Sequence, residues 1–277
     1  MKTIKRYIKL YCTLAKGYLQ GKLIYRGDAI IGIFSFLLSN VASLFTLGVV
    51  ITSITSLNGW GMYELGFLYG VVMIVKCLDH MFADALWNIG YWYIPSGNLD
   101  KHLVRPVHPL FQIIAGTVQV ESLGEAILGV TLLVICGFNL TIVWTFEKLF
   151  LLIVCFIFGA LVITGLKLIT SSIALWTKRS GIIMQTVYNM SDYAKYPLSI
   201  YNIAGVIKYL LLFIVPFGLI MTIPTEFLLK GSCEFFGSFA GVGYVISLVI
   251  IAFAALFNFI GFRLFDLGLR CYESAGN

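Results

Sequence analysis

Ala29-Ile-Ile-Gly-Ile-Phe-Ser-Phe-Leu-Leu-Ser-Asn-Val-Ala-Ser-Leu-Phe-Thr-Leu-Gly-Val-Val-Ile-Thr-Ser-Ile54 holds no charged side chain, and the chain stays uncharged as far as Tyr63. About 20 such residues cross a ~30 Å hydrocarbon core as a helix at ~1.5 Å per residue. A strand of a membrane barrel would instead alternate apolar and polar residues over about 10-residue segments. The stretch therefore reads as a transmembrane helix. The remaining composition agrees: 60% of the 277 residues are hydrophobic and 12% charged, against roughly 45–50% apolar usage in soluble domains. The fold class expected is an all-α integral membrane protein, embedded in a lipid bilayer.

Upstream, seven of the nineteen Lys and Arg precede the first acid, Asp28. Ile4, Ile8, Tyr11, Ala15, Tyr18 and Leu19 share one helical face, while Lys2, Lys5, Arg6, Lys9 and Lys16 occupy the other. Residues 1–26 thus read as an amphipathic helix on the inner leaflet. A cleaved signal peptide fits less well, because the apolar run that follows far exceeds a 7–15-residue signal core. Anionic lipid accounts for the net charge of +6, and nucleic acid is not expected as a partner.

Downstream, the hydropathy pattern predicts spans over residues 29–54, 62–91, 110–138, 149–176, 209–223 and 242–262, making six transmembrane helices in one transmembrane domain over 1–277. Between the second and third lies a polar passage, Trp92-Tyr-Ile-Pro-Ser-Gly-Asn-Leu-Asp-Lys-His-Leu-Val-Arg-Pro-Val-His-Pro109, with three of the six prolines and two of the three histidines. Leu99 and Leu103 fall one turn apart, and Pro106 disfavours helix at Arg105. A short amphipathic helix is expected within 96–108. Residues 225–240 are too polar to span yet rich in Phe and Leu, and read as a re-entrant or interfacial element on the outer side. Residues 177–208 read as a second cytoplasmic segment. On this assignment fifteen Lys or Arg lie inside against Lys148 and Lys230 outside, which places both termini in the cytoplasm.

The six cysteines show no C-x-x-C pair or zinc spacing and read as small core residues. There is no G-x-x-x-x-G-K-[ST] phosphate loop, no dinucleotide fingerprint, no H-E-x-x-H and no G-x-S-x-G. No metal site and no catalytic residue are expected. The sharper signal is the set of charges inside the spans, Lys76, Asp79, Asp84, Glu121, Glu125 and Lys167, since an ionisable group in a bilayer is costly and is either paired or functional. Counting up at ~1.5 Å per residue makes Glu121–Lys167 and Glu125–Lys76 possible pairs. They would fix helix register or line a path. Gly66 and Gly70 carry the small-x-x-x-small spacing that permits close helix approach.

Gly97-Asn-Leu-Asp-Lys-His-Leu-Val-Arg-Pro-Val-His-Pro-Leu110 resembles the G-x-L-D-x-x-L-x-R-P-x-x-P-L signature of type-2 ABC transporter permeases, in the six-span group without a fused ATPase domain. Tyr196-Pro-Leu-Ser-Ile-Tyr201 is similar to that family's Y-P-x-x-I-Y. Pro216-Phe-Gly-Leu-Ile-Met-Thr-Ile-Pro-Thr-Glu-Phe-Leu-Leu-Lys-Gly231 looks like its outer segment, with Pro216, Pro224, Glu226 and Gly231 at the matching positions and Thr225 where the family commonly has Ala. The resemblance implies that 96–108 is the coupling helix, with Gly97, Leu99, Asp100, Leu103, Arg105, Pro106 and Pro109 at the contact with a separate cytoplasmic ABC ATPase. It makes residues 1–26 the connecting helix. It also implies two ATPases that bind ATP and Mg, a second permease forming the other half of an export path, and residence in a bacterial cytoplasmic membrane. A channel or secondary carrier and a membrane-embedded lipid enzyme are the rival classes. The carrier lacks inverted broken helices, since Pro216 has no counterpart in the second span, and the enzyme lacks acids, histidines and metal ligands converging at one depth.

Overall fold

The structure, a computed structural model, describes residues 2–53, 59–202, 205–233 and 235–274; the expected end of the first span and its turn, at 54–58, lie outside them. Among the described residues the regular elements are all helices, joined by turns and irregular segments, with an isolated bridge between Cys233 and Gly237. In chain order come α1 (Lys2–Ile24), α2 (Arg26–Ser53) and α3 (Met62–Ala83), the last continuing through a 3-10 turn at Asp84–Leu86 and a π-helical stretch at Ile89–Tyr93. Then follow α4 (Asp100–Leu103), α5 (Pro109–Ala115) and α6 (Leu123–Asn139). The long α7 (Phe146–Ser172) leads into α8 (Ala174–Thr177), α9 (Gly181–Asn189), α10 (Gly205–Tyr209), α11 (Ile223–Lys230) and α12 (Val242–Arg270).

Five helical runs are long and apolar enough to cross a membrane: Arg26–Val49, Met62–Tyr93, Val120–Asn139, Phe146–Thr177 and Val242–Arg270. The pair Gly205–Ile214 and Gly218–Lys230, bent by 77°, makes a sixth if taken as one span. The bend falls at Pro216, which lacks an amide hydrogen to continue the ladder. The span expected over 209–223 is therefore two short pieces.

The span expected over 110–138 is likewise broken. α5 ends at Gly116, the amide of Gln119 donates to the Met81 carbonyl (3.2 Å), and the membrane-length run begins at Val120. This moves Glu121 and Glu125 from mid-span to its first turns.

Small residues set the helix spacing. A Cβ on Gly165 of α7 would lie 2.9 Å from the Asn258 amide nitrogen of α12, and one on Gly70 of α3 would lie 3.0 Å from the Gly129 carbonyl of α6. Close backbone approach of this kind is how helices gain dispersion contacts where lipid offers no hydrophobic contrast. Gly66, one turn before Gly70, faces Cys136 in the same contact.

Residues 181–202 depart most from expectation. They form no loop beyond α7 but run back along α3. Gly181 packs against the Tyr91 ring, the Tyr188 ring lies 5.5 Å from both Trp87 and His80, Asp192 reaches Lys76, and Lys195 sits 5.4 Å above Tyr69. From Tyr91 to Tyr69 is roughly 33 Å of helix axis at ~1.5 Å per residue. The segment reads as a loop in sequence because it carries Asp192 and Lys195 and breaks into 3-10 turns at Met190–Lys195 and Leu198–Asn202. Its charges instead meet α3, Asp192 pairing with Lys76 and Lys195 lying over Tyr69.

The two ends of the bundle differ. At one, Lys148 Nζ donates to the Leu228 carbonyl (2.7 Å), the Gly243 amide donates to Glu147 (2.6 Å), and Lys208, Glu226 and Phe235 share a small cavity of about 60 Å³. At the other, Tyr7 of α1 meets Phe111 of α5, and Lys178 donates to the Glu273 carbonyl (2.6 Å). The second end gathers α1 with Lys101, Arg105, Lys178, Arg179 and Arg270.

Candidate functional site

At the basic end the chain leaves α3 through a tight turn. Gly97 takes a left-handed φ of 68°, which only glycine adopts without strain, and its amide bonds back to the Ile94 carbonyl (3.2 Å). Leu99 is then driven wholly into a cluster with Leu86, Ile89, Ile94 and Phe265. Burial of such a side chain from water is worth about 1.5–3 kcal/mol. The expected helix over 96–108 is thus a turn followed by one helical turn, α4, in which Leu99 is buried and roots the element in the bundle.

Gln112 stitches the far side by donating to the carbonyls of His102 (2.9 Å) and Val107 (2.5 Å). Pro109 starts α5, where its missing N–H costs nothing, and is buried. Asp100 accepts from the Ser274 hydroxyl (2.6 Å), and His108 Nε2 lies 2.9 Å from Asp266 Oδ1. The tail and α12 thereby strap this element. What remains turned outward is Lys101, Leu103, Val104, Arg105 and Pro106, with Val104 84% exposed. Burial pushes the His102 imidazole below its ordinary range, and the neighbouring Arg105 and Lys101 add to that shift.

The intramembrane charges occupy one connected region, with partners other than those expected. Lys167 pairs with Asp79 (2.5 Å) and Asp84 (3.4 Å), Thr164 donates to Asp79 (2.9 Å), and Lys76 pairs with Asp192 (2.8 Å). Glu125 meets His80 Nδ1 (2.8 Å), and Glu121 pairs with Lys22 of α1. The pairs Glu121–Lys167 and Glu125–Lys76 are not formed, because α6 starts later than the hydropathy pattern implies. Tyr188 is the hub: its hydroxyl is 2.7 Å from His80 Nε2, and Lys76 and Lys167 lie 5.2 and 5.1 Å from its ring. An ammonium over an aromatic face gains electrostatic attraction that desolvation does not erase.

Part of this network opens onto a cavity of about 440 Å³. One wall is the α2 row Ser35, Ser39, Asn40 and Ser43; the other is Lys76 and His80 of α3, Glu125 of α6, and Tyr188, Asp192 and Lys195. Sequence reasoning missed His80, Tyr188, Asp192 and Lys195 as site residues. The serines at i, i+4, i+8 in an otherwise apolar helix were the available signal. At the far end, Pro216 marks the 77° bend, Pro224 lies in the first turn of α11, Glu226 lines the cavity with Lys208, and Gly231 closes α11 in the left-handed conformation. Among the described residues no three His, Cys, Asp or Glu side chains converge as metal ligands would.

Long apolar helices joined by buried ion pairs, with a short polar element strapped across one end, define a multi-pass helical membrane protein. Over residues 37–276 the sequence matches the family described as ABC-2 family transporter protein, and the chain belongs to that family of ABC transporter permeases. No curated protein and no solved structure matches it.

Proposed function

We propose that this chain is the membrane-spanning subunit of an ATP-driven exporter, forming half of a translocation path and taking its energy from a separate cytoplasmic ABC ATPase. The observation that carries the reading is the element at 97–109. It is rigidly rooted through Leu99 and Gln112 yet offers Leu103, Val104 and Arg105 to solvent. A lever needs both properties, a fixed root and a free contact face. Two ATPases that bind ATP and Mg, and a second permease, identical or related, complete the assembly; this chain binds no cofactor of its own.

The basic end faces the cytoplasm of a bacterial cell, in keeping with the bias of Lys and Arg. Residues 205–230 then form a re-entrant hairpin at the outer face, and 181–202 make the crossing that returns the chain outward. ATPase closure moves α4 as a rigid body with the end of α3 and swings the helices lining the cavity.

Co-purification tests this. When the chain is co-expressed with the reading frames that neighbour its own, the wild type is expected to retain an ABC ATPase through detergent extraction. Val104→Asp with Arg105→Glu should lower recovery at least tenfold, about 1.4 kcal/mol of contact. Equal recovery by the variant would remove the coupling role.

A further inference from the structure

Residues 272–274, which follow α12, make three contacts in succession at the basic end. The Tyr272 ring packs on the cluster that holds Leu99 and Phe265 and lies 5.8 Å from Lys178 Nζ. The Glu273 carbonyl accepts from that same ammonium (2.6 Å), and the Ser274 hydroxyl donates to Asp100 Oδ2 (2.6 Å). The tail therefore bridges two connectors far apart in sequence, the element at 97–109 and the turn between α8 and α9.

That turn is strained. Lys178 has a φ of 65°, and among the described residues no other non-glycine takes a positive φ. In this region the Cβ crowds the following carbonyl, which is why the residue closing a helix in this way is usually glycine. Such a conformation persists only where neighbouring contacts over-determine it. Lys178 is held at two points: its amide bonds to the Ala174 carbonyl of α8 (2.7 Å), and its ammonium is gripped by the tail. The second hold is reversible, because Glu273 and Ser274 are exposed and a hydrogen bond that competes with water contributes little. The element at 97–109 keeps its root when the tail leaves, through buried Leu99 and through the contact of His108 with Asp266 (2.9 Å).

We infer that residues 272–274 are an autoinhibitory latch: while they join Asp100 to Lys178 they resist the movement of α4 that ATPase closure requires, and seating of the ATPase opens them. The inference rests on the reading of this chain as a permease and adds regulation to it. Opening frees the Lys178 turn to relax, so the strain held there offsets part of the cost of breaking the two bonds. Hydrolysis then runs at its full rate only with the tail displaced.

Two measurements test it, the first without any ATPase. In the purified full chain, Ser274→Ala should lower the exchange protection of the amides of residues 177–180 about threefold or more, although the bond it removes is to Asp100. Lys178→Gly, at ease in the left-handed region, should cancel that response. In the complex with the ATPase, Asp100→Cys with Ser274→Cys, carrying Cys12→Ser and Cys271→Ser, pins the tail on oxidation. ATP hydrolysis should then fall about fivefold or more and return on reduction. Equal protection in wild type and Ser274→Ala, failure of the thiol pair to cross-link, or equal hydrolysis in the oxidised and reduced forms overturns the latch. Any of these beside retained ATPase leaves the permease reading standing. Loss of the ATPase from wild type would strike that reading and the opening step with it, while the exchange measurement still decides whether the tail supports the turn.

Discussion

Lys167 is 3% exposed and faces two carboxylates of the α3 run, Asp79 at 2.5 Å and Asp84 at 3.4 Å. Removing one partner of a buried pair strands the other, a loss of about 3–5 kcal/mol. Lys167→Met is therefore expected to lower the midpoint of thermal unfolding in detergent sharply, and adding Asp79→Asn and Asp84→Asn should recover much of it. A single variant as stable as wild type would show that these charges serve something other than assembly. At this scale the charged residues were visible in sequence but their partners were not. Depth counting took the third span to begin at Leu110, whereas its membrane-length run begins at Val120, so Glu121 meets Lys22 from a helix that pattern alone places on the surface. His80 was passed over because one histidine in an apolar run signals nothing until Glu125 and Tyr188 are seen on its two nitrogens.

Among elements, the one spanning 97–109 carries a pH dependence. With the His102 ring half-buried against Tyr93, centroids 5.1 Å apart, its imidazole is held below the ordinary 6.5. The folded element favours the neutral ring, so its contribution to stability is complete above pH 6.5 and is lost as the pH falls below that value. The protection of the amides of residues 99–105, measured relative to their intrinsic exchange at each pH, should fall as the pH drops from about 7.5 to 5.5, and His102→Gln should flatten that response. An unchanged profile in the wild type would mean that the ring is not buried in solution. Uniform apolar helices such as α2, α7 and α12 were legible from composition because their length is dictated by the bilayer. The stretch 181–202 was not, since ion pairing with Lys76 and stacking on Tyr69 override the polarity that made it read as a loop.

For the molecule as a whole, sidedness is the consequence to examine. Lys178 lies with the tail at the basic end, through its bond to the Glu273 carbonyl, and Lys208 lies with Glu226 at the opposite one. In intact cells, with Cys12 and Cys271 replaced by serine, Lys208→Cys should react with a membrane-impermeant maleimide while Lys178→Cys should react only after lysis. Equal labelling of both before lysis would return 177–208 to one side of the membrane.

The strap at the basic end has a mechanical corollary. Asp100 holds the tail through Ser274, and His108, stacked on Phe262, holds Asp266. Two of the long helices, α3 and α12, are therefore yoked to the same small knuckle. Both helices also pack on α7, and at Gly165 the α7 and α12 backbones come within direct contact, so on the permease reading a displacement of the knuckle reaches α7 by two routes at once.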